Sequence, residues 1–171
     1  MSDEEWFDVV DEQDRVVGRA SRAEVHARNL RHRAVHLWLF RPNGRLLLQK
    51  RALHKDSAPG CWVSSCSGHL DCGEDYEGAA RRELEEELGI PPEEVAWTPP
   101  WRKFPASPET GHEFVQVYLL RGYRGAVHPN PEEVTDLRWM APSAVDRALR
   151  EEPGAFARSF CWLWDAYRRD W

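Results

Sequence analysis

Three glutamates, Glu83, Glu86 and Glu87, occupy positions i, i+3 and i+4 of the run RELEEEL. On an α-helix this spacing places the three carboxylates on one face, where like charges repel each other and weaken the helix. A divalent cation held between them removes the repulsion, and carboxylate oxygens suit hard cations such as Mg²⁺ or Mn²⁺. A charged run is also typical of a solvated surface helix, which is our interpretation of Glu85. For the other three glutamates, the spacing favours a metal site.

The surrounding segment, residues 68–90, resembles the signature of the Nudix hydrolases. That signature has fixed glycine, glutamate, arginine and aliphatic positions, and nine of them over 23 residues are far more specific than a lone glycine pattern. The chain meets every fixed position, with Gly68, Glu74, Arg82, Glu83, Leu84, Glu86, Glu87, Gly89 and Ile90.

The resemblance implies a metal-dependent hydrolase. Its substrate would be a nucleoside di- or triphosphate, or another nucleoside diphosphate linked to a moiety X, and water would attack a phosphorus atom. The implied cofactor is Mg²⁺ or Mn²⁺, and the implied partner is a small-molecule nucleotide. Glu83, Glu86 and Glu87 would be the catalytic residues and metal ligands, and the Gly68 carbonyl would join them. Arg82 is expected to hold a glutamate in a bidentate pair.

Many Nudix proteins place a further carboxylate beyond the signature. Glu113 is our candidate for that metal ligand, because residues 113–118 alternate like a strand that could run beside the helix. Glu132 and Glu133 are the alternatives. A solvated carboxylate at a strand start is an equally good interpretation of Glu113.

Substrate-binding residues are expected upstream and downstream of the signature. Arg51 and Lys50 are positive side chains that could contact phosphate, and Arg51 is the stronger candidate. Trp62 and Phe114 offer aromatic faces on which a base could stack, although aromatic residues more often belong to the core.

The stretch from Glu5 to Trp62 also resembles a subgroup related to the type 1 isopentenyl-diphosphate isomerases. Those enzymes use a catalytic cysteine directly before a Gly-His pair, and a metal held by histidine and glutamate. His32, the pair Gly68-His69 and Glu113 match this pattern. His26 lies close to a further ligand position.

The chain departs from the isomerase pattern at two positions. Ser67 stands where the catalytic cysteine is expected, and Cys66 is shifted by one residue, which on a strand points to the opposite face. Gly111 stands where a second glutamate is expected. We therefore favour a hydrolase and interpret the three histidines as relics or satisfied surface groups. A catalytically inactive nucleotide-binding module is the third hypothesis, and the complete set of glutamates argues against it.

The composition is that of a folded domain. The chain has 171 residues, 42% of them hydrophobic, and a formal net charge of -6. Residues 68–90 alone carry a net charge of -6, so the acidic excess is local and stable nucleic-acid binding is not expected.

Residues 1–10 show no signal-peptide pattern and no apolar run is long enough to span a membrane, which predicts a cytoplasmic protein with free thiols. The oligomeric state is not predicted.

The elements that must position these side chains can be read from periodicity and turn residues. A helix over residues 75–88 carries the carboxylates, and Gly89 followed by Pro91 ends it. We predict one domain over residues 1–171 with an N-terminal extension of about 30 residues. Periodicity alone supports an α/β or α+β class, and the resemblance implies the Nudix αβα sandwich with a mixed β-sheet. The other predicted strands are 6–10, 14–19, 34–40, 45–50, 62–67, 95–104, 113–121 and 134–140, and the other helices are 21–29, 141–149 and 155–171.

Overall fold

The protein is described by a computed structural model that covers residues 4–171. Residues 1–3 of the predicted domain lie outside this range. Nine strands and four helices form three sheets and the layers that cover them within the described range. The strands are β1 (Trp6–Val10), β2 (Val16–Ser21), β3 (His32–Leu39), β4 (Leu46–Arg51), β5 (Trp62–Val63), β6 (Cys66–His69), β7 (Arg102–Phe104), β8 (Glu113–Leu120) and β9 (Val134–Met140); the helices are α1 (Arg22–Arg28), α2 (Tyr76–Leu88), α3 (Pro142–Glu151) and α4 (Arg158–Asp170).

Strand β3 is the centre of the molecule. It pairs in parallel with β8 and antiparallel with β6, in a four-stranded mixed sheet of order β6-β3-β8-β7. Its side chains alternate between two cores. Val35 and Leu37 belong to the core that contains α2, whereas Ala34 and Trp38 belong to the core that contains α4. The expected αβα sandwich with a mixed sheet is therefore confirmed.

Two smaller sheets complete the architecture. β4 pairs with β5 and β9, and β1 forms a hairpin with β2. Residues 34–40 and 45–50 were predicted to pair as a hairpin. They are consecutive strands, but a single bridge between Phe40 and Leu46 is the only pairing recorded between them in the described residues. β3 cannot pair further with β4, because β6 and β8 already occupy both of its edges.

Three predicted elements differ in extent from the observed ones. The strand over 95–104 is reduced to Arg102–Phe104, because Pro99 and Pro100 lack the amide hydrogens that a ladder needs. The strand over 62–67 is split, and its two halves join different sheets. The helix over 155–171 begins at Arg158, after a 3₁₀ turn at Pro153–Ala155. Among the described residues, no helix has the length and apolar character needed to cross a bilayer.

Candidate functional site

Helix α2 carries the glutamates, and its ends are set by local chemistry. The Asp75 side chain accepts a hydrogen bond from the Gly78 amide (2.7 Å) at the N-terminus. Gly89 ends the helix in the left-handed conformation, with φ of 60°. One stripe of the helix faces the core, with Ala79, Ala80, Leu84 and Leu88 buried as predicted.

The three glutamates share one wall of a cavity of about 410 Å³ but differ in burial. The side chain of Glu83 is 12% exposed and that of Glu86 is 60% exposed, whereas Glu87 is buried. Burial raises the pKa of Glu83 and of Glu87, and the charge of Glu87 raises that of Glu83 further. Two carboxylates pressed together in this way favour a bound cation, because only a cation lets both ionise.

Gly68 lies directly against this cluster. A Cβ atom at this position would stand 2.1 Å from Oε1 of Glu83, so any larger residue would displace the carboxylate. The close approach brings the backbone of β6 next to Glu83. It is compatible with the expected role of the Gly68 carbonyl as a metal ligand.

The Arg82 side chain links Glu74, in the loop before α2, to Glu83 on the helix. Its guanidinium donates two hydrogen bonds to Glu74 (2.7 and 2.9 Å) and one to Oε1 of Glu83 (2.7 Å). It also donates to the His69 carbonyl (3.1 Å). The bidentate pair predicted for Arg82 is therefore made with Glu74, and these bonds raise the pKa of the guanidinium.

Gln49 on β4 is a site residue that sequence reasoning missed. It is almost fully buried, and its side-chain amide donates to Oε2 of Glu87 and to the Ser65 carbonyl (3.0 Å). The available signal was a glutamine directly after three leucines in a buried strand, since buried polar groups need partners. Gln49 orients the most buried carboxylate of the cluster.

A second cluster lies beside the first. Nitrogen atoms of His26, His32 and His69 all lie within 4.8 Å of one another, and they come from α1, β3 and β6. Glu113 on β8 joins them, because Oε1 lies 2.7 Å from Nε2 of His69 and 3.3 Å from Nε2 of His32. Burial alone would raise the pKa of Glu113, but the two histidines lower it, so this carboxylate is ionised.

The interpretation of these histidines as satisfied surface groups is wrong for His32. This residue is 1% exposed, and its Nε2 has no hydrogen-bond partner of acceptable geometry among the described residues. Three imidazoles and a carboxylate suit a divalent transition metal. The sequence did not show that α1 folds back over β3 and β6 to bring His26 into the cluster.

The cavity is also lined by basic side chains. Arg51 lines it as expected, together with Arg22 and Lys55, whose ammonium group pairs with Glu133. Glu133 also lines the cavity, whereas Glu132 does not. Acidic and basic side chains in one cavity suit a polyphosphate whose oxygens contact bound cations and cationic side chains.

Lys50, Trp62 and Phe114 are not brought to the cavity. Phe114 follows Glu113 on β8 and therefore points to the other face, as Lys50 does relative to Arg51. Trp62 is buried in the core that contains α4. Their placement offers no support for the predicted phosphate contact of Lys50 or for base stacking on Trp62 and Phe114.

Comparison with known proteins fits this geometry. The family model described as the NUDIX domain matches residues 30–162. The chain belongs to the Nudix family. It is similar to an isopentenyl-diphosphate Delta-isomerase of Nocardia farcinica, with 39% identity over 153 residues, 87% of this chain and 86% of the relative. It is also similar to the uncharacterized Nudix hydrolase SCO1686 of Streptomyces coelicolor, with 40% identity over 154 residues, 88% of this chain and 82% of the relative.

Among solved structures, the DR0079 protein of Deinococcus radiodurans superposes with a TM-score of 0.79. It is 31% identical, and the match covers 96% of this chain and 98% of that protein. The NUDIX match begins at residue 30, and the likeness to this structure extends over almost the whole chain. The segment before residue 30 contributes Glu5, Phe7, Arg22 and His26 to the cavity, so the predicted extension is part of the site.

This Nudix chain has no thiol at the isomerase cysteine position. Ser67 lines the cavity there. Cys66 is fully buried in the core beneath α2, and burial raises the pKa of its thiol well above the usual value. A buried thiol with a raised pKa is a poor proton donor or nucleophile at neutral pH.

Proposed function

We propose that the protein is a metal-dependent hydrolase of a nucleoside di- or triphosphate, or of another nucleoside diphosphate linked to a moiety X. The observation that carries the proposal is the pair of buried carboxylates, Glu83 and Glu87, beside Gly68 and the more exposed Glu86. Membership of the Nudix family supports the same chemistry.

Each side chain has a role that follows from its contacts. Glu83, Glu86, Glu87 and the Gly68 carbonyl would hold Mg²⁺ or Mn²⁺. When bound, the cation lowers the pKa of coordinated water and neutralises charge on the diphosphate. Arg82 and Gln49 orient Glu83 and Glu87, each through a direct hydrogen bond.

The basic side chains of the lining would bind the substrate phosphates. Arg51 and Lys55 line the same cavity as the carboxylates and can hold phosphate oxygens in position. Fixing the diphosphate between bound cations and basic side chains supplies orientation, which is a large part of catalysis in phosphoryl transfer.

A panel of nucleotides tests this function. Nucleoside di- and triphosphates, nucleotide sugars and dinucleoside polyphosphates are incubated with Mg²⁺, and release of phosphate, pyrophosphate or mononucleotide is followed. We expect hydrolysis of at least one class and its loss in EDTA. Undiminished hydrolysis in EDTA, or no hydrolysis of any class with Mg²⁺ or Mn²⁺, would contradict the proposal.

An isomerase-like reaction is the second candidate, and the cluster of His26, His32, His69 and Glu113 favours it. A metal held there would lie in the same cavity as the glutamates. Ser67 and the buried Cys66 argue against this candidate. At these two positions, a hydroxyl lines the cavity and the thiol does not. The hydrolase remains the better supported function.

A further inference from the structure

His36 lies on the inner wall of the cavity and takes no part in either cluster. It shares one face of β3 with His32, Ala34 and Trp38. The residue is 7% exposed, and the ring lines the cavity beside Ser67 and Gly68, which lie on the neighbouring strand.

One ring nitrogen of His36 is hydrogen-bonded inside the protein. Nδ1 lies 2.7 Å from the hydroxyl oxygen of Ser64, and the indole nitrogen of Trp38 donates to the same oxygen at 2.8 Å. Ser64 is fully buried. Its hydroxyl makes no other side-chain or backbone hydrogen bond among the described residues.

These three groups determine where the imidazole proton resides. An indole nitrogen can only donate, so the Ser64 oxygen accepts from Trp38 and its own hydrogen must point elsewhere. The remaining acceptor is Nδ1 of His36. Burial lowers the pKa of His36 to about 4, so the ring is neutral at physiological pH. A neutral imidazole that accepts at Nδ1 carries its proton at Nε2.

The Nε2 group is therefore a fixed, uncharged donor with no partner in the described part of the protein, on a ring that lines the cavity. A donor that lines the cavity and has no protein partner can bond a ligand oxygen there. The neighbouring Gly68 and the carboxylate wall place the expected diphosphate within the same cavity.

We propose that His36 donates a hydrogen bond from Nε2 to a phosphate oxygen of the substrate, and that Ser64 and Trp38 hold the ring in the tautomer that makes this possible. The inference rests on the proposed diphosphate chemistry. It assigns a substrate contact to a residue outside both the signature and the histidine cluster. A neutral donor suits this place, because it binds a phosphate oxygen without competing with a cation for the glutamates.

Histidine tautomers can be measured on the metal-free protein. Two-dimensional ¹⁵N–¹H spectra of the ring nitrogens distinguish a proton on Nε2 from one on Nδ1, and the His36→Gln spectrum assigns the signal among the seven histidines. We expect the proton on Nε2 at neutral pH, and a mixture of tautomers in Ser64→Ala. A proton on Nδ1 of the wild type, or on both nitrogens, would overturn the assignment.

Binding of inorganic pyrophosphate with Mg²⁺ tests the ligand contact. Calorimetry should show His36→Leu weakening binding by about 10- to 100-fold, as for loss of a hydrogen bond to a charged group. His36→Gln keeps a donor at a similar distance and should stay within a few-fold of the wild type. The Nε2 signal of the wild type should shift on binding.

Ser65→Ala is the matched control. Ser65 is as buried as its neighbour Ser64, but its hydroxyl bonds the backbone of Leu39 and Leu47 instead of His36. It should lower thermal stability without changing the tautomer or pyrophosphate affinity. Equal affinity of His36→Leu and wild type, or no pyrophosphate binding by the wild type, would overturn the inference.

The outcomes also separate this inference from the proposed function. Pyrophosphate binding that depends on His36, in a protein that hydrolyses nothing, would support the contact and reject the hydrolase. Nucleotide hydrolysis that is unaffected in His36→Leu would support the hydrolase and reject the contact.

Discussion

At the scale of single residues, the glutamates of α2 show how burial divides one motif into different roles. Glu83 and Glu87 are removed from water and need a cation or a proton, whereas Glu86 remains largely solvated. Glu85, one residue away, is exposed on the outer face and lines no part of the cavity. The same residue type therefore lines the cavity or lies on the outer surface, depending on the direction in which its side chain leaves the helix axis.

Glu87→Gln should lower kcat by about 100-fold or more on any substrate found in the nucleotide panel, because a metal ligand that stabilises transition-state charge is lost. Glu85→Gln is the control and should leave kcat unchanged. Circular dichroism confirms that both variants are folded. Full turnover by a folded Glu87→Gln protein would reject the metal site on α2.

The raised pKa values predict a pH-dependent stability difference between wild type and Glu87→Gln without metal. In the unfolded chain Glu87 ionises near its ordinary value of 4.5, while the fold retains the proton to higher pH. Between pH 4.5 and about 7 the folded protein binds more protons than the unfolded chain, so this group destabilises the wild type increasingly across that range and by a constant amount above it. Glu87→Gln should gain relative stability over that range.

Urea unfolding in EDTA at several pH values measures this difference. Saturating Mg²⁺ should remove the disadvantage of the wild type, since a ligand that binds only the folded state stabilises it by linkage. A stability difference that is independent of pH, or an equal Mg²⁺ effect in both proteins, would show that the cation binds elsewhere.

At the scale of elements, the end of α2 is the place where another segment attaches. The amides of His128 and Asn130 donate to the carbonyls of Leu88 and Glu87 (2.8 and 2.9 Å), and the same segment carries Glu133 into the cavity. The Gly89 backbone approaches it so closely that a Cβ atom would stand 2.6 Å from the His128 carbonyl oxygen. The glycine is needed for this contact as well as for its positive φ.

Gly89→Ala should therefore destabilise the protein more than Gly111→Ala. Gly89 has a φ of 60° and Gly111 a φ of 66°. Both lie in the left-handed region, where alanine costs about 1–2 kcal/mol. Only at Gly89 would the new methyl group also meet backbone, because nothing lies within 4 Å of the Cβ position at Gly111. Urea unfolding of the two variants makes the comparison, and equal losses would contradict it.

One attachment of the N-terminal hairpin is a carboxylate whose side chain is 6% exposed. Asp14, in the turn between β1 and β2, accepts hydrogen bonds from Arg33 (2.6 Å), from the Tyr76 hydroxyl (2.7 Å) and from Lys103. The hairpin places Phe7 against the rings of His32 and His69, with centroid distances of 5.7 and 4.7 Å. Asp14 thus links the turn to β3, α2 and β7 and supports the histidine cluster indirectly.

Asp14→Ala should lower the free energy of unfolding by about 1–3 kcal/mol, because it removes the acceptor of the hydrogen bonds from Arg33, Tyr76 and Lys103. Glu12→Ala is the control, since its ion pair with Arg31 is exposed and such pairs contribute about 0–1 kcal/mol. Chemical denaturation measures both. A loss for Asp14→Ala as small as that for Glu12→Ala would show that other contacts hold the hairpin.

At the scale of the whole molecule, the two clusters in one cavity raise the question of which reaction the site performs. The relatives include proteins described as isomerases and as Nudix hydrolases, so descent alone does not decide it. The feature that favours the proposed hydrolase is the register of β6. It directs Ser67 into the cavity and Cys66 into the core beneath α2.

Cys66→Ser should leave hydrolysis within a few-fold of the wild type, and no double-bond migration should be detected with isopentenyl diphosphate by proton NMR. The substitution places a hydroxyl in a buried site and should lower stability by about 1 kcal/mol, a typical effect of a point mutation. Turnover of isopentenyl diphosphate to its isomer, abolished in Cys66→Ser, would instead establish the isomerase.

The features that the sequence alone determined are local ones, formed within a few residues of each motif. The helix over 75–88, its caps and the shared face of Glu83, Glu86 and Glu87 follow from local spacing, and α2 has nearly the predicted bounds. The position of Arg51 at the cavity was also predicted. Such features depend on helical geometry and on the nearest neighbours in the chain, which a single sequence contains.

Tertiary structure decided the features that depend on which strands pair and which face they present. The hydrogen bond from Gln49 to Glu87, the gathering of His26 with His32 and His69, and the burial of Trp62 and Phe114 all join segments that are distant in sequence. On a strand, a change of one residue in register reverses every side chain. The face that each residue of β3, β6 and β8 presents to the cavity is therefore set by long-range pairing, and the local pattern does not contain it.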